Sequence, residues 1–304
     1  MRLAGDIERV GLSLGGTTYG WLHRASLEMA LRSLADVGIQ SVEIVTAAPH
    51  WSSRAFGSFE RHNLSRLLDQ LGLRLISVNP GYLDVNLMSP STEFRDLSEK
   101  VIVEQMELAG ELGAPLVVLM PGRRHRLSPA PKEACRWTLE RTLERLLARA
   151  EQLEVTLALE TGPTDFLGTG DDLLEIVNGF DDEHLGIAYD CANVLAVDDP
   201  AAGVKRVASR LRLAHVSDTW RDNWAHTSPG RGEVDFTAFA AALDEIGFSG
   251  PTIFELADGE DPGVRLADDF AALEMAGWSR SVAPVLPARS TPSHHFAIKE
   301  GLAS

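Results

Sequence analysis

Eight short apolar runs recur along this chain, and longer amphipathic segments separate them. The runs are mostly aliphatic or β-branched without polar alternation, which is typical of parallel strands that are covered on both faces. They lie at residues 10–14, 41–45, 74–78, 115–120, 155–160, 185–190, 212–217 and 251–255. Eight strand–helix units within roughly 250 residues predict a single (β/α)₈ TIM barrel of the α/β class.

Helical segments lie between several of these runs. The apolar spacing and the end signals predict helices at residues 26–37, 93–112, 132–153 and 236–246. An open doubly wound sheet is the alternative fold, but the glycines of GLSLGGTTYG lack the GxGxxG spacing of a dinucleotide-binding turn. We therefore expect one barrel over residues 1–280. An irregular C-terminal extension at 281–304, with three prolines and no periodicity, is expected to follow it.

The charge balance limits the partners of the protein. Its 304 residues carry 28 basic and 44 acidic side chains, a formal net charge of −16. Nucleic acids and anionic membranes attract basic surfaces, so neither is expected as a partner. The chain has no apolar run of about 18 residues and no signal-peptide pattern at its N-terminus. Its two cysteines form no CxxC pair, and a cytoplasmic protein is the expectation.

Four polar side chains end apolar runs in the second half of the chain. They are Glu160 at the end of VTLALE, Asp190 at the end of LGIAYD, His215 at the end of LRLAH and Glu255 at the end of PTIFE. The carboxyl ends of barrel strands face one mouth, and neighbouring strands lie about 4.8 Å apart, so these side chains can reach one ion. Three carboxylates and an imidazole suit Mn²⁺, Mg²⁺, Co²⁺ or Zn²⁺. For any one of them alone, a helix-capping role is the alternative.

Several stretches of the chain together resemble a known family. They are LALETGP, GIAYDCAN, HVSD, HTSPGRGEVDF and IFE, and residues 86–122 add a longer similar stretch. In these motifs the chain resembles the sugar phosphate isomerase/epimerase superfamily with the xylose isomerase-like barrel, which also contains endonuclease IV. The resemblance covers roughly residues 10–280. The combination of HVSD with PGRGEVDF is its most specific part.

The resemblance to the ketose epimerase branch implies an activity. One divalent ion, with Mn²⁺ expected first, would bind Glu160, Asp190, His215 and Glu255, and the two glutamates would act as acid and base on a hydroxyketone. A divalent ion stabilises an enediolate, and inversion at carbon needs a carboxylate on each face. We expect a metal-dependent isomerase or epimerase that acts on a small sugar or a related hydroxy-carbonyl compound. The alternatives are a lyase of the keto-inositol, dehydroshikimate or C-glycoside type, or a non-catalytic barrel.

The resemblance also indicates substrate-binding residues. Arg221 follows the histidine of the seventh strand by six residues, where the epimerases have a substrate-binding arginine. His50, in APHW after the second strand, is expected at the same mouth. Asn193 replaces a substrate-binding histidine of the epimerases and Phe166 replaces a carboxylate, so the substrate is expected to be less polar than a plain ketohexose or held differently. His226 is the fifth candidate for substrate binding.

Endonuclease IV holds three metal ions, and this chain lacks most of the additional ligands. It has Asn79, Met120, Asn193 and Trp224 at the corresponding positions, and His226 alone is retained. Methionine and tryptophan cannot hold a hard, positively charged cluster. DNA repair is therefore not expected.

Further side chains are expected at the mouth of the barrel. Aromatic rings there can stack on a sugar face or simply roof the barrel, and they are Trp21, Trp51, Phe166, Trp220 and Trp224. The basic cluster RRHR at 123–126 follows the fourth strand, and it is either solvated or an anion-binding site. The sequence leaves the oligomeric state open, a homo-oligomer included.

Overall fold

The barrel that the apolar runs predict is present. The computed structural model describes residues 11–51, 56–81, 84–164 and 166–287. Within these ranges eight parallel strands close into a barrel, in which the last strand pairs with the first. In chain order they are β2 (Gly15–Thr17), β3 (Ser41–Val45), β4 (Arg74–Asn79), β5 (Leu116–Leu119), β6 (Thr156–Glu160), β7 (Leu185–Asp190), β8 (Leu211–Val216) and β9 (Thr252–Phe254). Outside the barrel, β1 (Leu12–Ser13) pairs with β10 (Trp278–Ser279).

The first barrel strand does not lie where the sequence predicts it. The prediction of a strand at 10–14 is wrong for the barrel, because β1 pairs with β10 and the glycine-rich β2 takes the barrel position. A Cβ on Gly15 would lie 2.4 Å from the carbonyl oxygen of Ser41, so close backbone approach requires glycine here. Because glycine carries no apolar side chain, hydrophobic periodicity cannot identify such a strand.

The four predicted helices are present as α1 (Leu27–Asp36), α3 (Thr92–Leu112), α4 (Lys132–Leu153) and α8 (Phe236–Glu245). Ser26 caps α1 by accepting a hydrogen bond from the backbone N–H of Met29, and Gly113 ends α3 with a φ of 79°. The described residues also form α2 (Ser58–Leu71), α5 (Gly170–Phe180), α6 (Cys191–Val194), α7 (Pro200–Arg206) and α9 (Leu266–Ala276). None of the helices in these ranges has both the length and the apolar character needed to cross a membrane.

The core has two parts. The larger part lies between the strands and the surrounding helices, where α4 contributes the buried Leu139, Leu143 and Leu146 at helical spacing. The smaller part fills the barrel itself, with the side chains of Ile76, Leu116, Val118, Ala158, Ala188, Leu213 and Ile253. The interior is thus a packed layer, and the space for chemistry lies above it, at the carboxyl ends of the strands.

Residues 281–287 pass the other end of the barrel without regular structure. The N–H of Val285 donates to the carbonyl of Ser249, just before β9, and Leu286 packs against the apolar layer inside the barrel. The first part of the predicted C-terminal extension therefore contacts the barrel. The remainder of that extension, which includes two adjacent histidines, His294 and His295, lies outside the described residues.

Candidate metal centre

Four side chains converge at the mouth of the barrel. Glu160 and Asp190 end β6 and β7, His215 is the penultimate residue of β8, and Glu255 directly follows β9. The register aligns Asp190 with His215 across β7 and β8. One ligand atom from each residue lies within 4.8 Å of those of the other three, and all four residues are buried. The order of these residues in the sequence thus corresponds to one compact group in space.

The imidazole of His215 lies between carboxylates on both sides. Its Nδ1 is 2.7 Å from Oε1 of Glu160 and 3.3 Å from Oε2 of Glu255, and its Nε2 is 3.2 Å from Oε2 of Glu43. Burial alone would lower the pKa of His215, but the carboxylates of Glu43, Glu255 and Glu160 raise that pKa well above its ordinary value. Without a cation, this histidine is therefore held as the imidazolium.

The glutamates of the cluster resist ionisation. Burial raises the pKa of Glu160 and raises the pKa of Glu255 further, and the nearby carboxylate of Asp190 acts in the same direction. Oδ2 of Asp190 and Oε2 of Glu255 are buried without a hydrogen-bond partner among the described residues. Buried carboxylate oxygens that face one another without donors suit a divalent cation, which neutralises the charge and satisfies the lone pairs. The donor set therefore fits a metal ion, and this cluster can bind one.

Asp190 caps a helix with one carboxylate oxygen and turns the other to the cluster. Its Oδ1 accepts hydrogen bonds from the N–H groups of Ala192 and Asn193, 2.7 and 3.0 Å away, and so caps α6. These bonds fix the carboxylate and leave Oδ2 turned to the cluster. The helix-capping alternative for this residue is thus correct, and it does not compete with a role as metal ligand.

Glu43 belongs to the site although the sequence reasoning did not include it. It lies in the middle of β3 and is fully buried. Its Oε2 accepts a hydrogen bond of 2.7 Å from Oγ of Ser77, and its Oε1 accepts one of 3.1 Å from Nδ2 of Asn79. Burial opposes its charge, but His215 and these two donors lower its pKa below the ordinary value. The sequence feature that could have identified Glu43 is that it is a charged residue inside the apolar run SVEIV.

Tyr19 is a second residue that the sequence reasoning missed. It follows β2 in a short 3₁₀ turn, next to the strand that leads to Glu255. Burial, with the charges of Glu255 and Glu160, raises the pKa of Tyr19 to about 12. Its hydroxyl is therefore neutral near pH 7 and available as a donor. The misplacement of the first strand at 10–14 hid its position at the mouth.

Asn193, His226 and Trp224 form one network beside the cluster. Oδ1 of Asn193 accepts from Nε1 of Trp224 at 2.8 Å and from Nε2 of His226 at 3.3 Å. Nδ1 of His226 then accepts from Oγ of Ser217 at 2.9 Å and lies 3.8 Å from carboxylate oxygens of Asp190 and Glu255. Burial lowers the pKa of His226, so its ring is neutral. Two of the predicted substrate-binding residues thus lie at the edge of the four-residue group.

The other three predicted substrate-binding residues have protein partners elsewhere. Nε2 of His50 lies 3.1 and 2.9 Å from the carbonyl oxygens of Trp21 and Ala25, and the ring fixes the segment after β2. Nη1 of the largely exposed Arg221 donates to the carbonyl of Leu195. The ring centroid of Phe166 lies 5.6 Å from Cζ of Arg124 and 5.5 Å from Nζ of Lys132, so both cations can interact with this ring.

The predicted aromatic mouth divides into two kinds of residue. Trp21 and Trp51 are only 5% and 2% exposed and pack in the core, which agrees with the roofing alternative. Trp224 is 48% exposed, and Trp220 and Phe166 are half-buried. Only the latter three retain surface that a ligand can contact.

The paired motifs HVSD and PGRGEVDF are joined by Asp218. This buried carboxylate accepts four backbone hydrogen bonds, from Thr219 and Val234 on Oδ1 and from Gly230 and Gly232 on Oδ2. The loop before α8 is therefore folded around one side chain. The two motifs are therefore linked structurally through this side chain.

Known proteins are similar to this chain at about a quarter of the aligned positions. The uncharacterized protein MJ1311 of Methanocaldococcus jannaschii is 26% identical over 232 residues, which cover 74% of this chain and 77% of that protein. A probable endonuclease 4 of Chloroflexus aurantiacus is 24% identical over 247 residues, 74% of this chain and 85% of that one. A ketose 3-epimerase of Arthrobacter globiformis is 26% identical over 163 residues, about half of each chain at 52% and 54%.

Solved structures share the fold. A D-tagatose 3-epimerase-like protein superposes with a TM-score of 0.76 at 22% identity, over 87% of this chain and 98% of its own. The 3-keto-D-glucoside 4-epimerase YcjR of E. coli superposes with a TM-score of 0.73 at 19% identity, over 87% and 99%. The sequence model of the xylose isomerase-like TIM barrel family matches residues 31–281. The resemblance inferred from the motifs is confirmed, and this chain belongs to the xylose isomerase-like TIM barrel family.

Proposed function

We propose that the protein is a metal-dependent isomerase or epimerase that acts on a sugar or a related hydroxy-carbonyl compound. The observation that carries the proposal is the buried group of three carboxylates and one imidazole, with Glu160 and Glu255 both within 3.3 Å of Nδ1 of His215. The ketose 3-epimerase among the relatives and the sugar epimerases among the similar structures support the same class.

The residues that would hold the ion are Glu160, Asp190, His215 and Glu255. We propose a single divalent ion, Mn²⁺ first, with Mg²⁺, Co²⁺ and Zn²⁺ as alternatives. When bound, such an ion polarises the substrate carbonyl and stabilises the negative charge that develops on the substrate oxygens. The fixed Asp190 carboxylate and the buried imidazole keep the ligand set in place.

The two glutamates have the chemistry that proton transfer requires. One carboxylate takes the proton from the carbon beside the carbonyl, and the other, as the acid, returns a proton to the opposite face, so that configuration inverts without net proton uptake. In the metal-free protein burial raises the pKa of both carboxylates, so either one can carry the proton that the acid step requires. We also propose the phenol of Tyr19, in the 3₁₀ turn after β2 and next to β9, as a hydrogen-bond donor to a substrate oxygen.

The surrounding residues favour a small, partly apolar ligand. We propose that Phe166, Arg221, His50 and the network of Asn193 and His226 contribute to its binding or to the loops that enclose it. A nucleic-acid substrate is disfavoured by the net charge of −16. In addition, the position where the endonuclease has a further ligand holds Asn79, whose amide donates to Glu43.

The compartment is a separate proposal. Cys135 and Cys191 are both buried and unpaired, which agrees with a reducing environment and hence with the cytoplasm. Burial and the adjacent Asp190 raise the pKa of Cys191, so we propose no nucleophilic role for its thiol.

The test is proton NMR in D₂O of Mn²⁺-loaded protein with a panel of ketoses, inososes and keto acids, after removal of the metal for detection. Deuterium uptake next to the carbonyl together with a new epimer or isomer is the expected result. An enone product that absorbs in the ultraviolet would instead assign the lyase alternative. The matched variant Glu255→Gln is expected to retain metal and lose exchange. Exchange at the wild-type rate in this variant would remove Glu255 from the mechanism.

A further inference from the structure

We propose that Glu43 is the positioning residue that holds His215 in the tautomer needed for metal binding. The inference rests on the proposed metal centre but is independent of the substrate. Glu43 lies across the imidazole from the cluster: its Oε2 is 3.2 Å from Nε2, whereas Nδ1 faces Glu160 at 2.7 Å and Glu255 at 3.3 Å. Nε2 therefore faces Glu43, and Nδ1 faces the proposed metal ligands.

The carboxylate of Glu43 determines which ring nitrogen of His215 carries the proton when a metal is bound. A neutral imidazole carries one N–H, and a carboxylate beside Nε2 accepts it, which leaves the lone pair of Nδ1 turned to the cluster. The opposite tautomer would turn an N–H toward the cation and set the Nε2 lone pair of His215 against the anionic Glu43. Hydrogen bonding to a carboxylate also makes the imidazole a stronger ligand.

Glu43 is itself held in place from β4. Ser77 Oγ donates to the oxygen that faces the histidine, and Asn79 Nδ2 donates to the other oxygen. Oδ1 of Asn79 accepts from the N–H of Gly81, which fixes the orientation of this amide. A chain of hydrogen bonds therefore runs from β4 through Glu43 to His215, and it leaves the carboxylate no freedom to turn away.

A purely structural role does not explain this residue. A fully buried carboxylate is costly unless it is paired, and an apolar side chain would suit the middle of a covered strand. Among the described residues its ion-pair partner is His215. The charge of Glu43 therefore serves the imidazole, and through it the metal centre.

The test uses Glu43→Gln, which retains shape and removes the charge. Mn²⁺ affinity is measured by electron paramagnetic resonance, and the hydrogen bond from Nε2–H of His215 by the ¹H and ¹⁵N chemical shifts of that group in the Zn²⁺-loaded protein. We expect the dissociation constant to rise about 10- to 100-fold, and the Nε2–H proton to move upfield as its bond to a charged carboxylate becomes one to a neutral amide. A Glu43→Gln protein with wild-type affinity and an unshifted Nε2–H signal overturns the proposal. Weaker binding with an unshifted Nε2–H signal also overturns it, since Glu43 would then act through its charge at a distance and not through the imidazole.

The matched control is Asp269→Asn, which neutralises another buried carboxylate that accepts from a serine, Ser228, outside the metal group. It is expected to leave metal affinity and the Nε2–H signal of His215 unchanged, and a similar loss of affinity there would overturn the specific role of Glu43. If Glu43→Gln does not fold, Ser77→Ala removes one support of the carboxylate and is expected to weaken Mn²⁺ binding in the same direction. Neither readout involves a sugar, so failure to find a substrate leaves this result standing.

Discussion

Replacing Asp218 by asparagine is expected to lower the free energy of unfolding by about 3 kcal/mol. The carboxylate accepts four backbone N–H groups, two on each oxygen. The asparagine oxygen can keep one pair, while its NH₂ group faces the other pair donor to donor. Two hydrogen bonds to a charged acceptor contribute about 1.5–3 kcal/mol each. We take the lower figure because the amides of Gly230 and Gly232 are only partly buried and can recover water.

Urea denaturation, monitored by circular dichroism, measures this loss in the free energy of unfolding. The matched control is Asp235→Asn, which makes the same chemical change at the exposed N-cap of α8, where one N–H, that of Ala238, is accepted. Asparagine and aspartate are nearly equivalent caps, so a change within about 0.5 kcal/mol is expected. If Asp218→Asn destabilises the protein no more than this control does, the link between the two motifs is not what organises the loop.

Two further predictions concern the barrel and the metal-free site. Gly15→Ala is expected to cost at least about 2 kcal/mol in urea denaturation, because the new methyl would overlap the backbone oxygen of Ser41; a loss below about 0.5 kcal/mol would contradict the close approach of the strands. Metal-free protein is expected to lose stability as the pH rises above about 5. The pKa values of His215, Glu160 and Glu255 are raised in the folded state, which therefore still binds protons that the unfolded chain has released. Thermal unfolding across pH with and without Mn²⁺ checks this, and a melting temperature that climbs with pH in the metal-free protein would refute it.

Most of the fold could be predicted because seven barrel strands carry apolar side chains on both faces. Such runs differ from amphipathic helices and from polar loops, so their number and spacing indicate the barrel. The strand β2 could not be found in this way. Its backbone approaches that of β3 so closely that Gly15 has no room for a side chain, and a strand made of glycine leaves no hydrophobic pattern.

The candidate site also contains residues that the sequence predicts and residues that it does not. Its four proposed ligands could be predicted because strand ends of a barrel meet at one mouth whatever the loops do. The partners of Asn193 could not, since its bonds to Trp224 and His226 span 31 and 33 residues and depend on the path of the loop after β8. Glu43 is an intermediate case: a charge inside an apolar strand indicated that it had a partner, but only the folded chain shows that the partner is His215.

The charge of the mouth gives the strongest physical reason for a cation. Glu43, Glu160, Asp190 and Glu255 surround one imidazole in a region from which water is excluded. If all four carboxylates were ionised, the imidazolium would compensate only one of them, and the remaining repulsion would have no solvent to screen it. The metal-free protein is therefore expected to retain protons on Glu160 and Glu255. A divalent ion can take the place of protons in this group by stabilising the ionised form of the carboxylates that bind it, and it leaves the charge of Glu43 paired with an N–H of His215. The same buried carboxylates that raise one another's pKa in the metal-free protein would then serve as ligands of the cation.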